Sequence, residues 1–362
     1  MGEALRLARL GEGLTRPNPP VGAVVVRQGR IVGRGYHRKA GGPHAEVYAL
    51  RHAGRQARGA TLYVTLEPCS TWGRTPPCTD AILAAGIGRV VVALKDPNPR
   101  HAGRGFRVLR KAGIEVVRGC LSAEARVLLA PFTSHIVHQR PWITLKLAQT
   151  LDGRIADGWG TSRWISGPAS RRLVQALRRR ADAIMVGAGT ARADDPSLLP
   201  RPDGGRRPYR LIVDAAGRSP ATLGVFTDDA RERTRLVTTR RCPAALRRKV
   251  EAQGVTVWTL PARGRGVSLQ ALMRTLHDAG LLHVVCEGGG QLAGALLAAG
   301  LVDEWVLFVA PKALGEGVPA LGGVKWRLSA APSWRVTEVA RSGEDMLIRA
   351  APAPKRRRGR SA

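Results

Sequence analysis

Three residues in the first quarter of the chain have the types to hold a metal: His44, Cys69 and Cys78. Zinc takes imidazole nitrogen and thiolate sulfur in a tetrahedron, and three protein ligands leave the fourth corner for water. Glu46 stands two residues after His44 and is not needed as a ligand. Its carboxylate can take a proton from an activated water and pass it to a leaving amine, the chemistry of hydrolytic deamination. A closed, purely structural site would need a fourth ligand. Cys120, His37, His52 and His101 show no closing pair spacing for one. A lone cysteine is often just buried, but that does not explain the joint pattern.

Such ligands must be delivered by secondary structure. His44 to Ala53 reads as a helix with Pro43 near its start, and Cys78 to Ala85 as a second. Residues two apart diverge in mid-helix, but at a first turn His44 and Glu46 can converge on a site beyond the helix end. Thr61 to Thr65 is a β-branched strand running into Glu67-Pro68-Cys69. The metal would lie between two helix N-termini, whose positive polarisation favours thiolate and hydroxide. Residues 3–10 form an amphipathic helix. Val21 to Val26 and Ile31 to Tyr36 form a hairpin, Val90 to Leu94 and Ile114 to Val117 further strands, and Ser122 to Leu129 a helix leading into Pro131. The alternation predicts a layered α/β domain over residues 1–140.

Residues 141–351 read as a second domain. Strands are predicted at Trp142 to Leu147, Ala183 to Gly187, Leu211 to Asp214, Thr234 to Thr238, Val255 to Leu260, His283 to Cys286 and Glu304 to Val309. Leu347 to Arg349 adds an edge strand. Helices at Ser170 to Arg180, Leu269 to Ala279 and Leu292 to Ala299 make this a mainly parallel sheet flanked by helices. Ligands on such sheets bind beyond the carboxyl ends of the strands. Two glycine-rich turns, Gly187-Ala188-Gly189-Thr190 and Glu287-Gly288-Gly289-Gly290, fall at such ends, where backbone N–H groups can reach a phosphate. No G-x-G-x-x-G follows the first strand, so the ordinary dinucleotide fingerprint is absent. Residues 352–362, with Lys355-Arg356-Arg357-Arg358, read as a basic disordered tail.

The His-x-Glu and Pro-Cys elements follow the logic of zinc-dependent nucleobase deaminases, except that eight residues separate the cysteines. With Thr15 to Gly22, Gly35-Tyr36-His37, the run Gly73-Arg74-Thr75-Pro76-Pro77-Cys78, Lys146 to Gly153 and Glu287 to Gly290, the sequence resembles the bifunctional riboflavin-biosynthesis deaminase/reductase family. That resemblance implies a cytidine-deaminase-like three-layer domain followed by a dihydrofolate-reductase-like α/β domain. It implies Zn²⁺ on His44, Cys69 and Cys78, with Glu46 catalytic and a phosphoribosylated pyrimidine touched by Asn18, His37 and Arg74. It implies NADPH lined by Ala148, Trp164, Thr190, Asp194 and the run Gly289, Gly290, Gln291, Leu292, Ala293, Gly294 and Ala295. Ser162, Arg178, Leu198, Arg201 and Glu287 would hold the reductase substrate. Arg178 and Arg201 suit its phosphate, because guanidinium forks match phosphate oxygens. Lys146 or Asp194 would assist proton transfer. One position departs from the family: Thr71 stands where a substrate-contacting His is usual.

The 362 residues suffice for two domains, and 44% hydrophobic content for packed cores. The five irregularly spaced cysteines do not read as a disulfide framework, which favours a reducing, cytoplasmic setting. No signal segment or apolar stretch of about 18 residues is present. The net charge of +31 argues for a competing class, a polynucleotide deaminase acting on tRNA. The basic residues are spread along the chain, however, and the cysteine spacing and the whole second half argue against that class. A binding protein with one silenced active site is a third class, opposed by the intact His44, Glu46, Cys69 and Cys78. A homo-oligomer stays open.

Overall fold

The computed structural model describes residues 1–202 and 207–354. They fall into two compact units. One is Met1–Pro141 with Leu276–Leu282, and the other is Trp142–Thr275 with the chain from His283 onward.

The first stretch runs α1 (Gly2–Arg9), β1 (Gly22–Arg27), β2 (Arg30–Tyr36), α2 (Ala45–Ala53), β3 (Thr61–Leu66), α3 (Cys78–Ala84), β4 (Arg89–Leu94), α4 (Arg104–Lys111), β5 (Glu115–Arg118) and α5 (Ser122–Thr133). The sheet order is β2-β1-β3-β4-β5. β1 pairs antiparallel with β2 and β3, whereas β3, β4 and β5 are parallel. A two-residue turn joins β1 to β2, with Gln28 at φ 50° and Gly29 at φ 74°. Positive φ at both positions gives the turn whose twist matches the strands.

Strand alternation divides the core in two. Ala23, Val25, Val90 and Val92 pack with residues of α2, α3 and α4. The intervening Val24 and Ala93 pack on α1, with Ala125 and Leu128 of α5 beside Ala93. The unit is therefore a helix–sheet–helix sandwich of three layers. α2 sits unusually low on its sheet. Gly33 and Gly35, two apart and so on one face of β2, meet the small residues Ala45, Ala49 and Ala53. A Cβ on Gly35 would stand 2.3 Å from the Ala45 carbonyl oxygen, and one on Gly33 2.2 Å from that of Ala49. This backbone-on-backbone contact sets the height of the α2 N-terminus. α5 does not end before Pro131. It continues to Thr133, and a π-helical turn, Ser134–His138, follows. The proline removes one backbone donor without stopping the helix.

Beyond Pro141 the chain forms β6 (Trp142–Thr150), β7 (Arg154–Asp157), α6 (Pro168–Arg180), β8 (Ala183–Gly187), α7 (Ala188–Asp194), β9 (Tyr209–Val213), α8 (Gly224–Thr227) and β10 (Thr234–Thr238). It goes on through α9 (Ala244–Ala252), β11 (Thr256–Thr259), β12 (Ala262–Arg263), β13 (Gly266–Val267), α10 (Leu269–Asp278), β14 (His283–Cys286), α11 (Gly290–Ala298), β15 (Glu304–Ala310), β16 (Gly317–Pro319), β17 (Trp334–Ser342) and β18 (Asp345–Pro352). The main sheet has nine strands, ordered β11-β10-β9-β8-β14-β6-β15-β18-β17. β11 through β15 in that order are parallel, and β18 and β17 add on antiparallel.

Several expectations are corrected. The strand around Leu347 to Arg349 is interior, because β17, which the sequence reading missed, takes the edge. The turn at Gly187 to Thr190 is the start of α7, with Gly187 as its N-cap. Pro352, read as the first residue of the tail, pairs with Trp334 at the end of β18. Residues 355–362 of that tail lie outside the described residues. Arg210 of β9, on which the sequence carried no expectation, is fully buried. Asp228 receives it at 2.5 and 2.7 Å, with Thr234 Oγ1 at 2.9 Å. Among the described residues no helix is long and apolar enough to cross a membrane.

Two candidate active sites

His44 is the N-cap of α2, extended at φ −77° and ψ 167°, and Cys78 opens α3. Cys69 lies on the loop after β3. The structure brings all three together. His44 Nδ1 lies 3.2 Å from Cys78 Sγ and 3.5 Å from Cys69 Sγ, and the three ligand atoms fall within 4.8 Å of one another. Ligands at zinc bond lengths of ~2.0–2.3 Å and tetrahedral angles stand ~3.5 Å apart, so this donor set fits zinc. No fourth His, Cys, Asp or Glu closes the group among the described residues.

The two sulfurs are already unequal. Hydrogen bonding from Cys78, and then from His44, outweighs burial and lowers the Cys69 thiol to about 4. The Cys78 thiol is pushed up by its bond to Cys69 and by burial. A metal bound here would take both sulfurs as thiolates. Glu46, in the first turn of α2, is 3% exposed. Burial pushes its carboxyl up to about 7, with the charge of His44 pulling the other way. A carboxyl near neutrality can both accept and return a proton.

His37 and Asn18 meet beside the cluster. His37 Nδ1 is 3.0 Å from the Pro43 carbonyl oxygen, an acceptor only, so Nδ1 carries the proton. Nε2 then accepts from Asn18 Nδ2 at 3.2 Å. The His37 ring stands edge-on to His44 with centroids 5.1 Å apart. Arg74 is exposed on the excursion between the two cysteines. A residue that the sequence reading quoted without a role, Glu67, organises the surroundings. Its buried carboxylate accepts from the backbone N–H of Asp96 at 3.1 Å, Gly103 at 2.9 Å and Gly105 at 3.0 Å. That ties the Asp96 to Gly105 loop to the segment carrying Cys69. The signal was its place in Glu-Pro-Cys, directly before the ligand loop.

The second candidate site is a cleft of about 1540 Å³ at the carboxyl ends of β6, β8, β9 and β14. Ala148, Trp164, Thr190, Asp194, Gly289, Gly290, Gln291, Leu292 and Ala295 line it, as do Ser162, Arg178, Leu198, Arg201 and Glu287. Ala293 and Gly294 do not. Ala293 is buried, and a Cβ on Gly294 would meet the Gly322 carbonyl oxygen at 2.3 Å, on another face of α11. A helix cannot turn seven successive side chains to one ligand.

The start of α11 fits a phosphate. Gly288 and Gly289 take φ 119° and 82°. A Cβ on Gly289 would meet Thr190 Oγ1 at 3.0 Å, and one on Gly290 the Pro319 carbonyl oxygen at 2.6 Å. The backbone N–H groups opening the helix are those that have no intrahelical partner, and its dipole favours an anion there. The residues present therefore fit the phosphate end of a dinucleotide cofactor.

Arg178 was expected on the phosphate with Arg201. Its guanidinium is instead engaged by Glu287, with Nε to Oε1 at 2.6 Å and Nη2 to Oε2 at 2.8 Å, and Nη1 donates to the Leu199 carbonyl at 3.1 Å. Arg201 is exposed, and its guanidinium has no partner among the described residues. Lys146 Nζ stands 4.0 Å from Glu287. Burial alone would raise the Glu287 carboxyl, but Arg178 and Lys146 hold it below its usual range. Burial lowers the Lys146 ammonium, partly offset by Glu287. Ser162 Oγ donates to Asp194 Oδ1 at 2.7 Å. Trp164 is 63% exposed, with the Arg171 guanidinium 4.5 Å from its ring.

A zinc-type deamination site in one unit and a phosphate-cradling cleft on a parallel sheet in the other are what a deaminase joined to a nucleotide-dependent enzyme requires. Two family models match the chain: the cytidine and deoxycytidylate deaminase zinc-binding region over residues 1–94, and the RibD C-terminal domain over residues 141–348. The riboflavin biosynthesis protein RibD of Aquifex aeolicus (strain VF5) is 45% identical over 347 residues, 95% of each chain. That of Escherichia coli (strain K12) is 41% identical over 96% of this chain and 97% of its own. Among solved structures, Acinetobacter baumannii RibD superposes with a TM-score of 0.87 at 36% identity, covering 98% of each chain. A diaminohydroxyphosphoribosylaminopyrimidine deaminase/5-amino-6-(5-phosphoribosylamino)uracil reductase from Thermotoga maritima gives 0.87 at 37% identity over 98% of this chain and 97% of that one. The chain belongs to the RibD family, bifunctional enzymes of riboflavin biosynthesis that use zinc and NADPH.

Proposed function

We propose that the first unit hydrolyses the amino group of 2,5-diamino-6-(5-phosphoribosylamino)pyrimidin-4-one, and that the second reduces the ribosyl chain of the product to ribityl. The observation that carries this reading is the presence in one chain of an intact His44–Glu46–Cys69–Cys78 cluster and an intact cleft with its glycine cradle.

His44, Cys69 and Cys78 hold the zinc, which supplies the Lewis acidity that makes water a nucleophile near neutral pH. Glu46 takes the proton lost by the attacking water and returns it to the departing amine, so water and the aminopyrimidine give the carbonyl product and ammonia. Asn18, oriented by His37, contacts the pyrimidine, and Arg74 lies toward the phosphate. In the second site the N-terminus of α11, with Thr190, would hold the phosphates of NADPH, which when bound would supply the hydride for the ring-opened ribose. Arg201 takes the substrate phosphate, while Arg178 holds the Glu287 carboxylate in place. Lys146 supplies the proton, because burial loosens it and Asp194 is already occupied by Ser162. We place the enzyme in a reducing, cytoplasmic setting, on cysteines that are all unpaired.

The test is a coupled assay of the purified chain with the diaminopyrimidine ribotide. Ammonia release followed by NADPH oxidation is expected. NADPH oxidation confined to pre-deaminated substrate would refute the deaminase half, and ammonia without oxidation the reductase half.

A further inference from the structure

Thr71 lies on the loop between two of the zinc ligands, and a second loop brings an imidazole up to its hydroxyl. Thr71 Oγ1 stands 3.3 Å from His101 Nδ1. His101 is half-buried and firmly mounted. Its backbone N–H donates to the Asn98 carbonyl at 2.9 Å, and its carbonyl accepts from Arg104 N at 2.9 Å. Asp96 Oδ1 accepts from Asn98 N at 2.8 Å, and Asn98 Oδ1 from Arg100 N at 3.0 Å. Glu67 then grips both ends of this turn, through the N–H of Asp96 and those of Gly103 and Gly105, only two residues before Cys69. Thr71 and His101 thus hang from one clamp, and a group held this way keeps its geometry when a ligand arrives.

Thr71 Oγ1 and His101 Nδ1 are thus paired, and the ring's other nitrogen, Nε2, has no hydrogen-bond partner among the described residues. Thr71 itself belongs to the eight-residue wall between two zinc ligands. We infer that His101, positioned by Thr71, is a substrate-binding residue of the deaminase site, its Nε2 hydrogen-bonding to the phosphorylated pyrimidine. This rests on the deaminase reading above. Thr71 is then a positioning residue, and the contact uses two loops where a single His at 71 would use one.

The test uses the full zinc-loaded chain and the diaminopyrimidine ribotide. His101→Ala is expected to raise KM for ammonia release about five- to tenfold, the scale of one lost hydrogen bond, with kcat little changed. Zinc content and reductase turnover on pre-deaminated substrate should match the parent, which reports that the variant is folded. Thr71→Val should raise KM in the same direction by less. The double variant T71H/H101A, with the imidazole on the other loop, is expected to recover most of the loss, which a purely structural role for His101 would not allow. An unchanged KM in His101→Ala, or a double variant no better than His101→Ala, overturns the inference while leaving the deaminase reading standing. No ammonia from the parent chain overturns both, and that outcome is read before any variant is made.

Discussion

At the scale of single residues, the proposed deamination turns on one proton-carrying group, Glu46. Glu46→Gln keeps the shape and cannot cycle a proton. It is expected to retain stoichiometric zinc by metal analysis, to lose at least about 100-fold in ammonia release, and to keep reductase turnover on pre-deaminated substrate. In the cleft, Arg178 holds Glu287 ionised. Arg178→Ala removes that support, so Glu287 takes up a proton at a higher pH. The acid limb of the reductase profile should move to higher pH while ammonia release is unchanged. The stability effect has a definite sign. A carboxylate with a lowered folded pKa contributes stability above its unfolded value of about 4.3, and that contribution fades as pH falls through the folded value. The variant should therefore lose about 3 kcal/mol at pH 7 by urea denaturation, with the gap narrowing below about pH 4. The His44, Cys69 and Cys78 donor set, which the structure brings together, was legible in the sequence because metal chemistry restricts residue types so tightly. Arg178 was legible as a site residue but not in its partner. Its partner, Glu287, is 109 residues away, and no spacing rule links the two.

At the scale of elements, the strands and helices carrying both sites were readable from period and from glycine and proline placement. What escaped was contact between elements. β2 carries glycine at alternate positions and α2 carries alanine at every fourth, a pattern visible in the sequence but without meaning until the two are seen stacked. Gly35→Ala would drive a methyl into the Ala45 carbonyl, one residue from His44. We expect a loss of about 2–3 kcal/mol in stability and a reduced zinc content as α2 lifts, with the reductase half intact in the same preparation. α5 passing through Pro131 and the edge strand β17 were missed for opposite reasons. In α5 the surrounding packing tolerates a residue that local propensity rejects. In β17 most positions are exposed, so the sequence shows no regular apolar alternation to read.

At the scale of the whole molecule, the net charge of +31 argued in the sequence for a polynucleotide partner. The structure gives some of that charge other tasks, since Arg210 is a core residue and Arg178 a pairing residue. The open nine-stranded sheet has two unpaired margins. One, β11, is only four residues long. The other, β17, exposes Arg335, Glu338 and Arg341. Charged side chains on a margin stop another chain from pairing there. Replacing all three with valine should leave both activities in the freshly purified protein but give light scattering that grows with concentration and time. In a crowded cell an open sheet can serve as a template for polymerisation, and here a few charged residues on one strand, with the mutual repulsion of like-charged copies, oppose that edge-to-edge growth.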